Sequence, residues 1–447
     1  MINILKKDNF SKFINLLLIL WAIVISAISA TYDTKIILAI AMIGLFFLVL
    51  YFPYYTLIIL ILLNEKLFYF VSDNPFHIYI FGVIIFALFV CLIKRKFSKM
   101  QFSFQILFLV LWVILEIINA NIIISQPITK GIIGILMFFK YLLYFYFMLY
   151  FNAKSISRVK DILINTGIIA AIIYIAQAIV YPKIIFLDVI FSIRDGNVRF
   201  YEGMSLVIFS LFMYLDSWLK GNKKGISNIL YLSIYVVYFL FVCNTRNVNI
   251  ALIGTIIIIW IINSDFRTKA KKIVVGLAVF LILVGISISL NYINFQSSVI
   301  DEIAHGTGSI GFRFQEINYY LQKFLEKPLM GWGIYNDSYI DSYYLLGRDK
   351  GYYTGDIGIL GFAFQVGIFG ILLFLSFIFY ISRRVAVNEK CNKKNYIYIW
   401  LMIIFILLSL PSGFYLQDSS TILYIVLFLV IFEKESVFDL EQGDKNV

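Results

Sequence analysis

Long apolar runs follow one another from residue 13 to residue 432, broken only by short polar stretches. About 20 apolar residues carry a helix across roughly 30 Å of hydrocarbon, so the pattern predicts membrane-spanning helices rather than strands. Spans are expected near residues 13–30, 36–51, 53–70, 77–93, 103–122, 131–151 and 161–181. Seven more follow near 203–219, 227–243, 247–263, 273–290, 356–381, 396–411 and 420–432. Residues 36–70 read either as one long helix or as two helices broken at Pro53, whose ring removes a backbone donor.

Charge decides between them. With two helices there, the basic clusters at Lys6 and Lys7, Lys94 to Lys99, Lys154 to Lys160, Lys220 to Lys224, Arg267 to Lys272 and Arg383 to Lys394 all fall on one side. That is the positive-inside pattern, and a single helix would set the first cluster against the rest. Of the 37 Lys and Arg, 24 are then cytoplasmic, 12 extracytoplasmic and one, Lys140, lies within a span. Both termini are expected in the cytoplasm, and the first apolar run, lacking a small-residue cleavage site, is expected to be retained.

One segment breaks the rhythm. Residues 291–355 form a loop of about 65 residues on the extracytoplasmic side, and loops of that length are usually functional or disordered. Within it Phe314, Ile317, Leu321, Phe324 and Leu325 recur at three and four, which predicts an amphipathic helix over 312–327 stopped by Pro328 and Gly331. Its apolar face suits either the membrane surface or the end of the bundle. The expected architecture is thus all-α, a polytopic bundle of about 14 spans. The chain forms a single membrane domain over 1–447, with short helices in the 291–355 loop.

Composition supports this class. The chain is 62% apolar, 18% aromatic and 14% charged, whereas soluble domains carry about a quarter charged residues. The net charge of +11 resides in clusters between apolar runs, so it orients helices and does not imply nucleic acid. Cys91, Cys243 and Cys391 have neither metal nor redox spacing. No phosphate-binding glycine loop and no nucleophile elbow is present. The first outer loop, SATYDTK, offers Asp33 alone where a metal-holding acidic pair would be needed, so no metal and no cofactor is expected.

Candidate chemistry lies on the extracytoplasmic side. A guanidinium stays charged and presents a fork of donors matched to phosphate oxygens. Arg199 in VRFYEG, Arg246 in the tight turn CNTRN and Arg313 in GSIGFRFQEINYY are the candidates, weighed against solvation, snorkelling or a structural ion pair. Asp356 in YYTGDIGILG opens the span after the loop and reads either as an N-cap or as a general base. His305 in the loop is the rival base. Glu116 and Lys140 fall within adjacent spans at similar depth and are expected to pair with each other. Glu202 either pairs with Arg199 or binds sugar hydroxyls. Tyr320 and Trp332, with other loop aromatics, either stack on sugar rings or belong to an interfacial aromatic belt.

The TRN turn at the start of a span, the run RFQEINYYLQKFLEKPLMGWGI and the following TGDIGILGFAFQVGIFGILLF resemble the O-antigen and polysaccharide polymerases of the Wzy type, relatives of the O-antigen ligases. The resemblance covers topology throughout and residues over about 245–375. It implies a glycosyltransferase of the GT-C type in the bacterial inner membrane, acting extracytoplasmically on glycans carried by undecaprenyl pyrophosphate. Donor and acceptor would both be lipid-linked, with a chain-length regulator and a flippase as further partners. Arg246 and Arg313 match the family's arginine positions, and Arg199 less clearly. Ligases carry a histidine near the start of the post-loop span where this chain has Asp356, which favours a polymerase. The competing classes are a lipid-linked oligosaccharide flippase, which has no use for so long a loop, and an ion-coupled transporter centred on Glu116 and Lys140.

Overall fold

The computed structural model describes residues 49–65, 73–94, 96–97, 100–183, 191–194, 197–200, 203–220, 227–243, 245–262, 308–392 and 394–443. The spans expected at 13–30 and 273–290, and most of 36–51, lie outside these residues. Helices dominate: α1 (Pro53–Asn64), α2 (Asp73–Ile93), α3 (Ser103–Ile124), α4 (Ile128–Tyr150) and α5 (Ala153–Val180) come first. After a short hairpin follow α6 (Met204–Leu219), α7 (Ser227–Val237, continued as a π turn over Tyr238–Cys243) and α8 (Arg246–Ile262). The loop contributes α9 (Gly308–Glu326) and α10 (Ile340–Leu345), before α11 (Gly358–Asn392), α12 (Ile397–Ser409) and α13 (Ser419–Gly443). Of these, α3, α4, α5 and the run Thr354–Cys391, which takes in all of α11 but its last residue, are long and apolar enough to cross a membrane.

The centre belongs to α13. Its residues from Ile422 to Phe432 are at most 1% exposed, and the helix packs against α4, α5, α6, α11 and α12. A helix apolar on every side has no face to give to water, so burial among other helices is its stable place. The surrounding helices turn other apolar faces outward, as Phe104, Ile122 and Phe241 do, which suits a hydrocarbon solvent.

Contacts along α13 separate two ends. Near its start, Ser420 accepts from Asn64 through its carbonyl at 2.9 Å, and Ser205 Oγ lies 2.8 Å from Ser420 Oγ. Thirteen residues on, about 20 Å at 1.5 Å per residue, Glu433 Oε1 accepts from the Gln101 amide at 2.9 Å. Glu435 there holds Lys160 at 2.7 Å, and Lys220 holds Asp216 at 2.8 Å. The loop helices sit at the first end.

Two features depart from the sequence expectation. The chain is not wholly α: Phe191–Arg194 (β1) and Asn197–Phe200 (β2) pair antiparallel, with Ser192 opposite Arg199. The expected continuous span over 356–381 is also broken, because Gly367 inside α11 takes φ 64° and ψ −171°. The loop segment after α9 fills the break: Ile368 and Phe369 donate to the Pro328 and Leu329 carbonyls, while Trp332 and Gly333 donate to those of Phe364 and Gln365. Four backbone bonds of a broken helix are thereby replaced from outside it, as an apolar surround requires. The close approach needs glycine, since a Cβ on Gly367 would stand 2.2 Å from the Leu329 oxygen and one on Gly331 2.4 Å from the Gln365 oxygen.

Candidate functional site

Two polar groups occupy the loop end of the bundle. The first surrounds the hairpin and the TRN turn. Arg199 on β2 is 8% exposed and donates from Nη2 to Thr245 Oγ1 at 3.2 Å. Thr245 in turn donates to the Cys243 carbonyl at 3.0 Å, and its own carbonyl accepts the Asn249 amide, the first bond of α8. Arg246 is the opening residue of α8, so its backbone lies where unpaired N–H groups and the helix dipole favour an anion. The preceding π turn is closed by Asn249, whose amide donates to the Phe239 carbonyl at 3.1 Å. Arg199 is thus tied directly to the turn that carries Arg246.

Below this turn, side chains of α1, α4, α6 and the start of α13 form a buried network. Lys140 Nζ donates to Asn64 Oδ1, the Ser419 carbonyl and Ser419 Oγ, each at 2.8 Å. Glu65 Oε1 accepts from Asn64 at 2.8 Å and from Tyr424 at 2.6 Å. Asp418 Oδ2 accepts from Ser420 Oγ and Thr421 Oγ1 at 2.5 Å each. Lys140 therefore does not pair with Glu116, contrary to the sequence expectation. Glu116 is fully buried, with Oε2 accepting from Asn119 at 3.0 Å and Oε1 lacking a hydrogen-bond partner. The rotation of α3 and α4 aims the two residues at different neighbours, Glu116 at the loop segment through Asn119 and Lys140 at α13.

The second group is built by the loop. Tyr319 and Tyr320 on α9 donate to the Leu345 and Leu346 carbonyls at 2.9 and 2.6 Å, which locks α9 to α10. Arg348 bonds Asp337 at 2.9 Å, donates to the Tyr352 carbonyl at 3.0 Å and stacks on Tyr353. Glu316, one turn beyond Arg313, is fully buried and accepts the Tyr353 amide through Oε1 at 2.9 Å, while Oε2 has no hydrogen-bond partner. Burial pushes the Glu316 carboxyl above its ordinary value, the nearby Asp356 carboxylate adds to this, and the Tyr353 amide, Arg313 and Arg348 oppose it. This carboxylate connects α9 to the turn bearing Asp356, and the sequence reading missed it. Its position one helical turn from Arg313, on the face opposite Phe314, Ile317 and Leu321, was the available signal.

Asp356 sits in a 3-10 turn over Thr354–Ile357, exposed, with no side-chain hydrogen bond or ion pair among the described residues. Capping therefore does not account for it. Arg313 is likewise exposed and unpaired among the described residues. The outward face of α9 is apolar: Phe314, Ile317, Leu321 and Leu325 are 37–64% exposed, so this face does not cap the bundle. Tyr320 offers no face to a sugar, because its ring is enclosed against Phe364 and its hydroxyl is committed to Leu346. Trp332 donates its indole N–H to the Lys323 carbonyl at 2.7 Å, and Lys327 lies 4.7 Å from its ring. His305 and Glu202 lie outside the described residues.

The segment between α12 and α13 joins the two groups. Its first residue accepts Ile359 N through the Leu410 carbonyl at 2.8 Å beside the Asp356 turn, and its last, Asp418, reaches Ser205 and Thr421.

These features define an integral membrane protein, a helical bundle with a folded loop on one end and arginines and carboxylates gathered beneath it. Residues 231–375 match the family model described as O-antigen ligase. Members of that family are membrane enzymes acting on lipid-linked glycans. The matched residues run from α7 through the TRN turn and the loop and past the Gly367 break into α11. No curated protein matches the chain.

Proposed function

We propose that this protein polymerises oligosaccharide repeat units carried on undecaprenyl pyrophosphate, at the extracytoplasmic face of a bacterial inner membrane. The observation that carries this reading is the pair of uncommitted groups at the loop end: Arg313 and Asp356, both exposed and unpaired among the described residues, flank the buried Glu316. A transfer from a lipid pyrophosphate needs positive charge where the leaving group develops its negative charge, and a base for the attacking hydroxyl. Arg246 and Arg313, with Arg199 tied to the TRN turn, supply the first, and Asp356 the second. The acceptor hydroxyl oxygen bonds to the donor's anomeric carbon and its proton passes to the base. The bond from that carbon to the pyrophosphate oxygen breaks, and the electron pair leaves with undecaprenyl pyrophosphate.

The side assignment rests on charge, since Lys160, Lys220, Arg383 and Arg384 lie at the end opposite the loop. A reporter fused at residue 340 should give an extracytoplasmic signal, and a cytoplasmic one would overturn the orientation.

A ligase is the second reading, favoured by the description of the matching family. Surface glycan from a deletion strain separates them. A polymerase defect leaves single repeat units still attached to their final acceptor, whereas a ligase defect leaves long chains on the polyprenyl lipid. Arg246→Ala and Arg313→Ala are each expected to remove long chains while the protein accumulates in the membrane. Normal chain lengths in either variant would remove the pyrophosphate role of that residue. Asp356→Asn with full activity would remove Asp356 as the base.

A further inference from the structure

On the outside of the bundle, at the end away from the loop, a groove of about 310 Å³ runs between the first turns of α3 and the later half of α11. Its walls are apolar and aromatic. Phe104 and Phe108 stack at 6.0 Å and remain 72% and 44% exposed, and Phe379 across from them is 70% exposed. Its floor is Leu109 and Phe377, both nearly inaccessible. Arg383 stands in the lining, exposed and without a hydrogen bond or ion pair among the described residues, unlike its neighbour Arg384, which donates to Tyr380 at 2.9 Å. Gln105 also lines the groove, and its amide oxygen is buried with no hydrogen-bond partner.

The groove therefore presents two demands at once. The aromatic walls suit an acyl chain, and the unpaired guanidinium suits a phosphate. We propose that this groove is a binding site for one anionic glycerophospholipid of the leaflet opposite the loop. Its acyl chain lies along Phe104, Phe108 and Phe379, and its phosphate is on Arg383. A simple neutral lipid satisfies only the walls. The glycan-bearing lipids of the proposed reaction are bound at the other end of the bundle, so the occupant is a structural or regulatory lipid rather than a substrate.

The test uses the full-length protein purified in a neutral detergent and reads lipid retention by native mass spectrometry, with thermal unfolding alongside. Phosphatidylglycerol is expected to be retained in preference to phosphatidylcholine and to raise Tm more. A juxtamembrane cation contributes about 1 kcal/mol toward an anionic lipid, so Arg383→Ala should reduce that preference about fivefold. Lys390→Ala, an exposed cation of the same helix outside the groove, should leave it unchanged. Equal retention of the two lipids, or an unchanged preference in Arg383→Ala, would show ordinary annular lipid and overturn the site. No step depends on glycan chemistry, so failure here leaves the proposed function standing, and the reverse also holds.

Discussion

Replacing Gly367 by alanine tests how the loop is fastened to the bundle. At φ 64° and ψ −171° the backbone lies in a region open essentially to glycine alone, and any side chain there costs about 1–3 kcal/mol. The new methyl would also stand 2.2 Å from the Leu329 oxygen and 2.6 Å from the Gly331 nitrogen, both backbone atoms that yield only if the segment moves. Overpacking of that kind costs about 1–3 kcal/mol more. The expected loss is therefore about 2–6 kcal/mol, enough to detach residues 328–333 from the break and expose the Ile368 and Phe369 amides that now donate at 2.8 and 3.2 Å. Hydrogen exchange of the protein in detergent reads this directly, as faster exchange at Ile368, Phe369, Trp332 and Gly333 with the rest of α11 protected. Gly82→Ala is the control, because a Cβ at Gly82 meets nothing within 4 Å and alanine favours the helix. If Gly367→Ala matched the parent in stability and in exchange at these four amides, the loop would not be held by the break, and the close-approach argument would fail.

Two further outcomes follow from buried charges. Burial raises the Glu316 carboxyl, so above its ordinary value of about 4.3 and up to its raised value the folded protein holds the proton more tightly than the unfolded chain. Its contribution to stability therefore falls as pH rises through that window. Glu316→Gln keeps an acceptor for Tyr353 N–H and removes the titration, so its Tm should change less than the parent's as pH rises above the ordinary carboxyl value; parallel profiles would refute this. Lys140→Met leaves Asn64 Oδ1 and the Ser419 oxygens without their donor in an apolar surround, at a cost of about 2–5 kcal/mol. Chemical denaturation in detergent should show that loss, and unchanged stability would mean that water or another donor replaces the ammonium.

The membrane class was legible because it rests on composition and run length alone, and the described helices other than the loop helices α9 and α10 overlap the expected spans. The loop helix was legible for the same reason: Phe314, Ile317 and Leu321 recur at its period. Which face it buries was not, because apolar residues at a water or lipid boundary need not turn inward, and here Glu316 and Tyr320 do instead. The Gly367 break escaped a hydropathy reading since its neighbours Val366 and Ile368 are as apolar as the helix on either side. The hairpin carried a signal that went unused, since an Asp-Gly pair between two short runs is a sequence signature of hairpins. The failed pairing of Glu116 with Lys140 shows the limit of depth arguments, because depth follows from position in a span whereas partners follow from helix rotation, and rotation is set by packing against α13 and the loop. Glu316 was overlooked for its ordinary surroundings in the sequence, and only its enclosure beneath Tyr353 gives it meaning.

The helix at the middle of the bundle is also the last of the described helices to be made. As the chain is synthesised, α1 to α8, α11 and α12 enter the membrane before the rod that Ile422 to Phe432 provide, and the facing sides of α4, α5 and α6 must wait for it. Lys140 meets Ser419, and Ser205 meets Ser420 and Thr421, only when that helix arrives. Closure of the core and completion of the polar network beneath the TRN turn are then a single late event, so a chain stalled short of residue 419 would sit in the membrane with its helices made and that end of the bundle unassembled.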